Sequence, residues 1–426
     1  MTAVFVFLTL AAIAFDLWLD RRQIAYVRKH EAALPAAFSG KVTLDQHRRA
    51  SAYTIAKAKL ESAYLAANGL FVLLMAYAGG FALLYHLISA RLASTEFASA
   101  ATAGYLGSLA LAGCFLILSG LVDLPFDLYK NFVIEERFGF NRMTVRTYVT
   151  DKVKAACLAA VIGAPLVWII DFAMRHAGGL WWLYAWAILM VFNVGAIFAL
   201  KFIAPLFNKY EPLDAGLLRA RLEAMLTKCG FRSNGIFKVD GSKRSTHANA
   251  YFTGFGAVKR IVLFDTLLEK LDTDEIEAVI AHELGHFKHG HIRKRLLMMA
   301  VVSFAMLGLL GWLSGEDWFY GIFSLDGSLF AEMPVGLLLL FMMVAPAVTG
   351  WFRVGFNHLS RRDEFEADAF AARMSDGAHL AQALLKLQQN NAATLTPDPI
   401  YSAVHHSHPT IEERIGRLGA FPAPGA

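Results

Sequence analysis

Cysteine is scarce in this chain, and the few cysteines present do not form a recognisable pattern. Three occur among 426 residues, at Cys114, Cys157 and Cys229, and no two have CxxC spacing. An odd count without such a pair argues against a disulfide framework and against a cysteine metal site. We therefore expect neither.

Charged residues are also few, and this excludes most soluble proteins. They make up 18% of the chain, whereas hydrophobic residues make up 56%, which is too apolar for an ordinary globular domain. The formal net charge is +5, but the basic residues are concentrated in a few loops, as in proteins whose loop charges set membrane topology. We expect a membrane protein with the lipid bilayer as a partner and no nucleic-acid partner.

Apolar runs of spanning length occur seven times, and about 20 residues suffice to cross a bilayer. Gly69, Gly79, Gly80 and Pro165 could break or kink their helices, so five spans are the minimum. The predicted spans are residues 3–19, 63–88, 105–122, 154–174, 178–205, 296–313 and 334–352.

The loop charges predict the orientation of these spans. The first apolar run has no basic residue before it and Arg21 and Arg22 after it, which favours a retained span over a cleaved signal peptide. Basic residues are frequent in residues 20–62 but nearly absent from residues 89–104. We expect the amino terminus outside and the carboxyl terminus in the cytosol.

The most informative stretch is HELGH, residues 282–286. Two histidines four residues apart on a helix project from one face and can reach the same ion. A catalytic zinc site needs three protein ligands and an open position for water, so His282 and His286 supply part of one. Glu283 could take the proton of that water. Asp272 and Glu275 predict the capping box that begins this helix.

The third ligand is expected from residues 360–370, which have helix-forming composition. Glu364 and Asp368 share a face there; one could bind zinc while the other accepts the free N–H of a zinc-bound imidazole. Alternatively, this segment is a solvated helix face with salt bridges. His289 shares the face of the first two histidines, but three ligands along one straight helix span about 10 Å. His291 lies off that face.

The polar section before the zinc helix predicts a helix and a small group of strands. Residues 217–229 have helical periodicity, and residues 236–239 have the composition of a short strand. Residues 249–252 and 260–264 predict a hairpin around Gly254 and Gly256. Its exposed edge could hold an extended peptide by main-chain hydrogen bonds, or the hairpin could serve only for packing.

Near the carboxyl end, His408 precedes Pro409, and Arg414 follows six residues after the histidine. Such a pair could stabilise the oxyanion of a tetrahedral intermediate or bind a substrate carboxylate. The same residues could also be the polar start of a helix. Composition alone does not distinguish these two interpretations.

Taken together and in order, these motifs resemble the type I CAAX prenyl protease family. The similarity runs from about the third span to Arg414. It is carried by FVIEERFGFNRMT, NAYFTGF, KRIVLFDTL, HELGH, SRRDEFEADAF and SHP. The resemblance implies a mainly α membrane protein, with seven transmembrane helices forming a barrel around an intramembrane chamber. A small α+β zinc-protease domain would lie on the cytosolic side, and the activity would be removal of the last three residues from C-terminally prenylated peptides.

The same resemblance assigns roles to individual residues. It implies Zn²⁺ as the cofactor and a peptide or protein substrate, with a C-terminal isoprenoid as the family's usual modification. The implied metal ligands are His282, His286 and Glu364, with Glu283 as base, Asp368 hydrogen-bonded to a ligand histidine, Asn249 on the substrate backbone, and His408 with Arg414 at the scissile carbonyl.

The predicted division of the chain follows the spans. Residues 1–205 would hold the first five, 206–295 the zinc-protease domain, 296–352 the last two, and 353–426 a cytosolic part with the third ligand. The short carboxyl tail without a retrieval signal predicts a bacterial inner membrane, with the endoplasmic reticulum as the alternative.

The sequence leaves two other functions open. One is a membrane quality-control protease with the same metal site and looser specificity. The other is a transporter or inactive scaffold. The span interiors are expected to lack the paired charges that transporters use, and Glu283 is present, so both observations favour an enzyme.

Overall fold

The computed structural model describes residues 1–94, 100–231, 233–253 and 259–419. The predicted turn at Gly254 and Gly256 lies outside the described residues.

The amino-terminal half is almost entirely helical. The region 20–62, expected as a basic loop, is mostly helix because the first helix continues to His30 and the second begins at Leu44. Thr43 begins the second helix by accepting the N–H of Gln46, as an N-cap does. The helices are α1 (Thr2–His30), α2 (Leu44–Val72), α3 (Gly80–Ala93), α4 (Ala100–Tyr129), α5 (Val145–His176) and α6 (Trp181–Ile203).

The predicted continuous span over residues 63–88 is wrong, because the helix breaks at Gly79. After α2 the chain passes through a π turn, Leu73–Tyr77, and Gly79 then adopts φ 81°. That left-handed conformation favours glycine. The next residue, Gly80, lies so close to the turn that a Cβ would be 2.8 Å from the carbonyl oxygen of Leu74. The spanning helix is therefore the earlier one, and α3 is a separate short apolar helix.

A four-stranded sheet and three helices follow the fifth span. The strands are β1 (Tyr210–Pro212), β2 (Ile236–Val239), β3 (Ala250–Thr253) and β4 (Arg260–Phe264), and the helices are α7 (Leu217–Lys228), α8 (Asp265–Lys270) and α9 (Thr273–Lys288). The strand order is β1-β2-β4-β3, with β2 parallel to β4 and the other pairs antiparallel. The predicted hairpin pairing is confirmed, and β3 forms an edge of the sheet.

The remainder of the chain is helical. A short 3₁₀ turn, Gly350–Phe352, joins the last membrane helix to the helix that carries Glu364. The helices are α10 (His291–Leu313), α11 (Asp317–Gly321), α12 (Leu329–Glu332), α13 (Val335–Thr349), α14 (Arg353–Met374), α15 (Gly377–Asn390), α16 (Pro399–His405) and α17 (Ile411–Leu418).

In the described part of the chain, seven helices are long and apolar enough to cross a membrane, which confirms the predicted number. Their outer faces expose large apolar side chains, for example Phe7 at 68%, Val161 at 71% and Val191 at 74%. A water-soluble protein rarely exposes so many. A surrounding bilayer would cover them.

The two largest apolar cores among the described residues lie at opposite ends of α10. One joins the sheet to α7, α9, α14 and α15 through fully buried side chains such as Leu222, Ile261 and Ile280. The other joins the connection between α10 and α13 to the membrane helices and contains Phe81, Phe319 and other aromatic residues. The first core therefore fixes α9 against α14.

A cavity of about 1130 Å³ lies among α1, α2 and the carboxyl-terminal segment 388–411, and it is lined largely by polar and charged residues. We call it the chamber. Its wall includes Asp16 from α1 and Arg353 from α14, which form an ion pair. Asp171 and Arg175 form another in α5, at 2.5 Å. The expectation that the span interiors lack paired charges is therefore wrong. The charges in the spans thus give no argument against a transporter.

Candidate metal centre

Helix α9 brings its two histidines together as the sequence predicted. The capping box is present: Asp272 accepts the N–H of Glu275, and the Glu275 side chain accepts the N–H of Asp272. His282 and His286 are four positions apart on the α-helix, and their Nε2 atoms lie 3.2 Å apart. Both Nε2 atoms therefore face one point.

Helix α14 supplies a carboxylate to the same point. Glu364 Oε1 lies 3.2 Å from His286 Nε2, and Oε2 lies 3.5 Å from His282 Nε2. One ligand atom from each residue lies within 4.8 Å of the other two. Of the two carboxylates that the sequence left open, Glu364 is therefore the one beside both Nε2 atoms.

These residues fit a divalent metal ion. Glu364 is only 1% exposed, so its carboxylate is buried between the two imidazole Nε2 atoms. A buried carboxylate is costly unless positive charge compensates it, and a bound cation would supply that charge. Two imidazole nitrogens and one carboxylate are also the protein ligands of a known class of catalytic zinc site.

Asp368 contacts the first histidine on its other side. Its Oδ1 lies 2.9 Å from His282 Nδ1, and Arg414 donates two hydrogen bonds to the same carboxylate, at 2.7 and 2.9 Å. Burial disfavours protonated His282, but the carboxylates of Asp368 and Glu364 outweigh this and raise the pKa of His282 to about 8. The surroundings thus favour positive charge at this point, which suits a cation.

Glu283 and Arg414 lie close enough to interact electrostatically. Burial lowers the pKa of Arg414, but Asp368, Glu364 and Glu283 together hold it above its usual range. Glu283 follows the first histidine directly on α9 and is half-buried. Arg414 Nη1 is the nitrogen not used by Asp368, and it lies 3.7 Å from Glu364 Oε2.

His408 connects the centre with the chamber. Its Nδ1 lies 2.9 Å from Glu364 Oε2, its side chain is 64% exposed, and it lines the chamber wall. Asn249, by contrast, is exposed on the sheet, where its Oδ1 accepts the N–H of Ala250 and its carbonyl oxygen accepts the N–H of Phe264. A substrate would have to link the sheet edge to the centre.

Sequence reasoning missed two supporting residues. Gly285 allows α9 and α14 to approach closely, because a Cβ there would lie 3.0 Å from Ala367 Cα. His291, which the sequence analysis considered only as a third ligand, is 1% exposed, and its Nδ1 lies 2.9 Å from the Nδ1 of His286. The glycine inside HELGH and the histidine five residues after His286 were the available signals.

Comparison with known proteins identifies the family. Residues 23–209 match the family described as CAAX prenyl protease N-terminal, five membrane helices, and residues 212–421 match peptidase family M48. The chain is 34% identical to CAAX prenyl protease 1 of Saccharomyces cerevisiae over 96% of its length and 93% of the relative. The protein belongs to the M48 CAAX prenyl protease family. This M48 protein is therefore a membrane metalloprotease.

Other relatives and a solved structure agree. The M48 protein is 33% identical to the Homo sapiens CAAX prenyl protease 1 homolog, over 71% of each chain. A crystal structure of S. mikatae Ste24p superposes with a TM-score of 0.89 at 32% identity, covering 98% of both chains. The predicted fold, helices around an intramembrane chamber with a small sheet domain, is confirmed. These relatives come from eukaryotes and give no support to a bacterial inner membrane.

Proposed function

We propose that this protein is a zinc endopeptidase that removes the C-terminal residues of isoprenylated peptides. The observation that carries the proposal is the convergence of His282, His286 and Glu364 beside His408, which also lines the chamber. Zinc held by these ligands would polarise a substrate carbonyl and lower the pKa of a bound water.

Glu283 would act as the general base and then as the general acid. Its carboxylate takes a proton from the attacking water and returns it to the nitrogen of the leaving peptide. Arg414 carries positive charge close to this carboxylate, and the two groups interact electrostatically. Arg414 Nη1 and His408 would donate to the carbonyl oxygen as it gains negative charge.

The peptide would be held as an added strand. β3 pairs with β4 on one side, and among the described strands nothing pairs with its other side. An extended substrate hydrogen-bonded there gains main-chain affinity, and pockets set the side-chain preference. Asn249, at the start of this edge, would contact the substrate backbone.

We further propose that the centre faces the cytosol. Basic loops flank the sheet domain, and basic loops stay on the cytosolic side. The eukaryotic origin of the named relatives favours the endoplasmic reticulum over the bacterial inner membrane that the carboxyl tail predicts. The divisions at residues 205, 295 and 352 remain part of this proposal.

The test measures cleavage of one peptide, with and without a farnesyl group, by the wild type, Glu283→Gln and Glu269→Gln. Each reaction is run first with chelator and then with added zinc. Glu269 is an exposed control on α8. We expect Glu283→Gln to keep its zinc and lose cleavage, and the farnesylated peptide to be cut faster by the other two proteins. Wild-type cleavage by Glu283→Gln would refute the base. Equal cleavage of both peptides would refute lipid recognition and favour the quality-control alternative.

A further inference from the structure

The turn between α9 and α10 folds a third histidine against the metal centre. Helix α9 ends at Lys288, and Gly290 adopts φ 70°, a left-handed conformation that reverses the chain. His291 then opens α10 and is 1% exposed. Its Nδ1 lies 2.9 Å from His286 Nδ1.

The direction of this hydrogen bond follows from the metal ligand. His286 Nε2 faces His282 and Glu364, so a metal would take the lone pair of that nitrogen. A neutral imidazole that binds metal through one nitrogen carries its proton on the other. His286 Nδ1 therefore donates, and His291 Nδ1 accepts.

The far side of His291 supports the same assignment. His291 Nε2 lies 3.2 Å from Glu366 Oε2 and 3.5 Å from Asp363 Oδ1. Ionised carboxylates only accept hydrogen bonds, so Nε2 carries the proton of His291 and Nδ1 is left as an acceptor. Lys294 Nζ lies 3.7 Å from both carboxylates and offsets their charge.

We infer that His291 is a positioning residue for the metal ligand His286, whose Nδ1 proton it accepts so that Nε2 stays directed at the ion. This inference rests on the proposed zinc site. The two ligand histidines are then held by separate chains of hydrogen bonds. His282 is held by Asp368 and Arg414, and His286 by His291 and Glu366. Groups that orient a ligand in this way change metal affinity by about 10- to 100-fold.

The experiment measures zinc affinity of the detergent-purified full chain by competition with a chromogenic chelator. The variants are His291→Leu, which removes the acceptor, and His291→Asn, whose amide oxygen can take the place of Nδ1. His289→Leu removes an exposed neighbouring histidine, and His286→Ala removes the ligand itself. Thermal melting of each metal-free variant gives the effect on the fold alone.

We expect His291→Leu to weaken zinc binding about 10- to 100-fold, His291→Asn to recover most of that loss, and His289→Leu to bind as the wild type does. Equal losses in the Leu and Asn variants would show that packing matters and not the acceptor, and would overturn the inference. Wild-type affinity in His291→Leu with loss in His286→Ala would also overturn it, while leaving the zinc site intact. Wild-type affinity in His286→Ala would instead refute the proposed zinc site.

Discussion

Gly285 on α9 lies against the backbone of Ala367 on α14, with room for a hydrogen but not for a methyl group. An added Cβ would lie 3.0 Å from Ala367 Cα and 3.1 Å from its carbonyl oxygen. Because Gly285 stands between the proposed ligands His282 and His286, and Ala367 follows Glu364 by three residues, this contact sets how closely the proposed ligands of the two helices approach.

Gly285→Ala is therefore expected to separate α9 from α14 and to lower both stability and zinc affinity. Overpacking against backbone costs about 1–3 kcal/mol. Melting temperature and zinc content after dialysis are the measurements. Gly355→Ala, on α14 with open space around it, is the matched control and should keep its zinc. Full zinc retention in Gly285→Ala would show that the helices can yield without moving the ligands.

His408 and Arg414 are expected to respond differently to substitution by alanine. His408 is 64% exposed, so His408→Ala should leave the melting temperature unchanged and lower kcat by about 10²–10³ if it serves the oxyanion. Arg414→Ala leaves buried Asp368 without its bidentate partner, which costs about 3–5 kcal/mol. Steady-state kinetics and melting separate the two effects. A fall in affinity alone in His408→Ala would assign it to substrate binding.

The edge-strand proposal predicts an alternating pattern in modified substrates. Successive residues of an added strand point their N–H groups alternately toward and away from β3. Peptides methylated at single backbone nitrogens should lose cleavage at every second position, and Asn249→Ala should lower kcat/KM. Asn234→Ala, another exposed asparagine near the sheet, should not. Undiminished activity in Asn249→Ala would remove the proposed contact.

The orientation can be checked by labelling single cysteines in a background without Cys114, Cys157 and Cys229. We expect Ser233→Cys and Ser407→Cys to be protected from an impermeant reagent applied outside intact cells. Ser328→Cys, exposed in the connection between α10 and α13, should be labelled. Labelling of Ser233→Cys or Ser407→Cys from outside would reverse the predicted topology.

Acidification is expected to destabilise the segment that carries His408. Burial, with Arg361 nearby, lowers the pKa of His406 to about 4. Below the unfolded pKa of about 6.5, the unfolded chain binds a proton that the folded chain does not, so stability falls between pH 6.5 and 4. By pH 5 the loss is about 2 kcal/mol at most.

The measurement is the melting temperature of metal-free protein at pH 7 and pH 5. His406→Gln should show a smaller drop than the wild type, and the exposed control His176→Gln should behave as the wild type does. An unchanged drop in His406→Gln would assign the acid sensitivity to other groups.

The parts that sequence reasoning predicted well depend on local pattern. The helix of HELGH, its cap at Asp272 and the strand 260–264 are set by residues near one another in the chain, and all three are observed. The number of spans follows from length and hydropathy. The position of Glu364 needed the helix spacing together with the resemblance, because no local signal joins α14 to α9.

Several of the missed features depend on contacts that helix and strand periodicity do not show. Asp16 pairs with Arg353, which is 337 residues away in the sequence. The residues around either one give no sign of this ion pair. The parallel pairing of β2 with β4 joins one strand that precedes β3 in the sequence and one that follows it. The contact of His291 with His286 requires the left-handed turn at Gly290, and helix periodicity alone places that histidine on another face.

The order of the proposed metal ligands along the chain has a consequence for engineering. Two membrane helices, α10 and α13, lie between His286 and Glu364. A water-soluble fragment ending before α10 would contain two of the three ligands, and one beginning after α13 would contain the other. No single excised piece of this chain can therefore rebuild the centre without crossing the bilayer twice, so a minimal version of the enzyme has to remain a membrane protein.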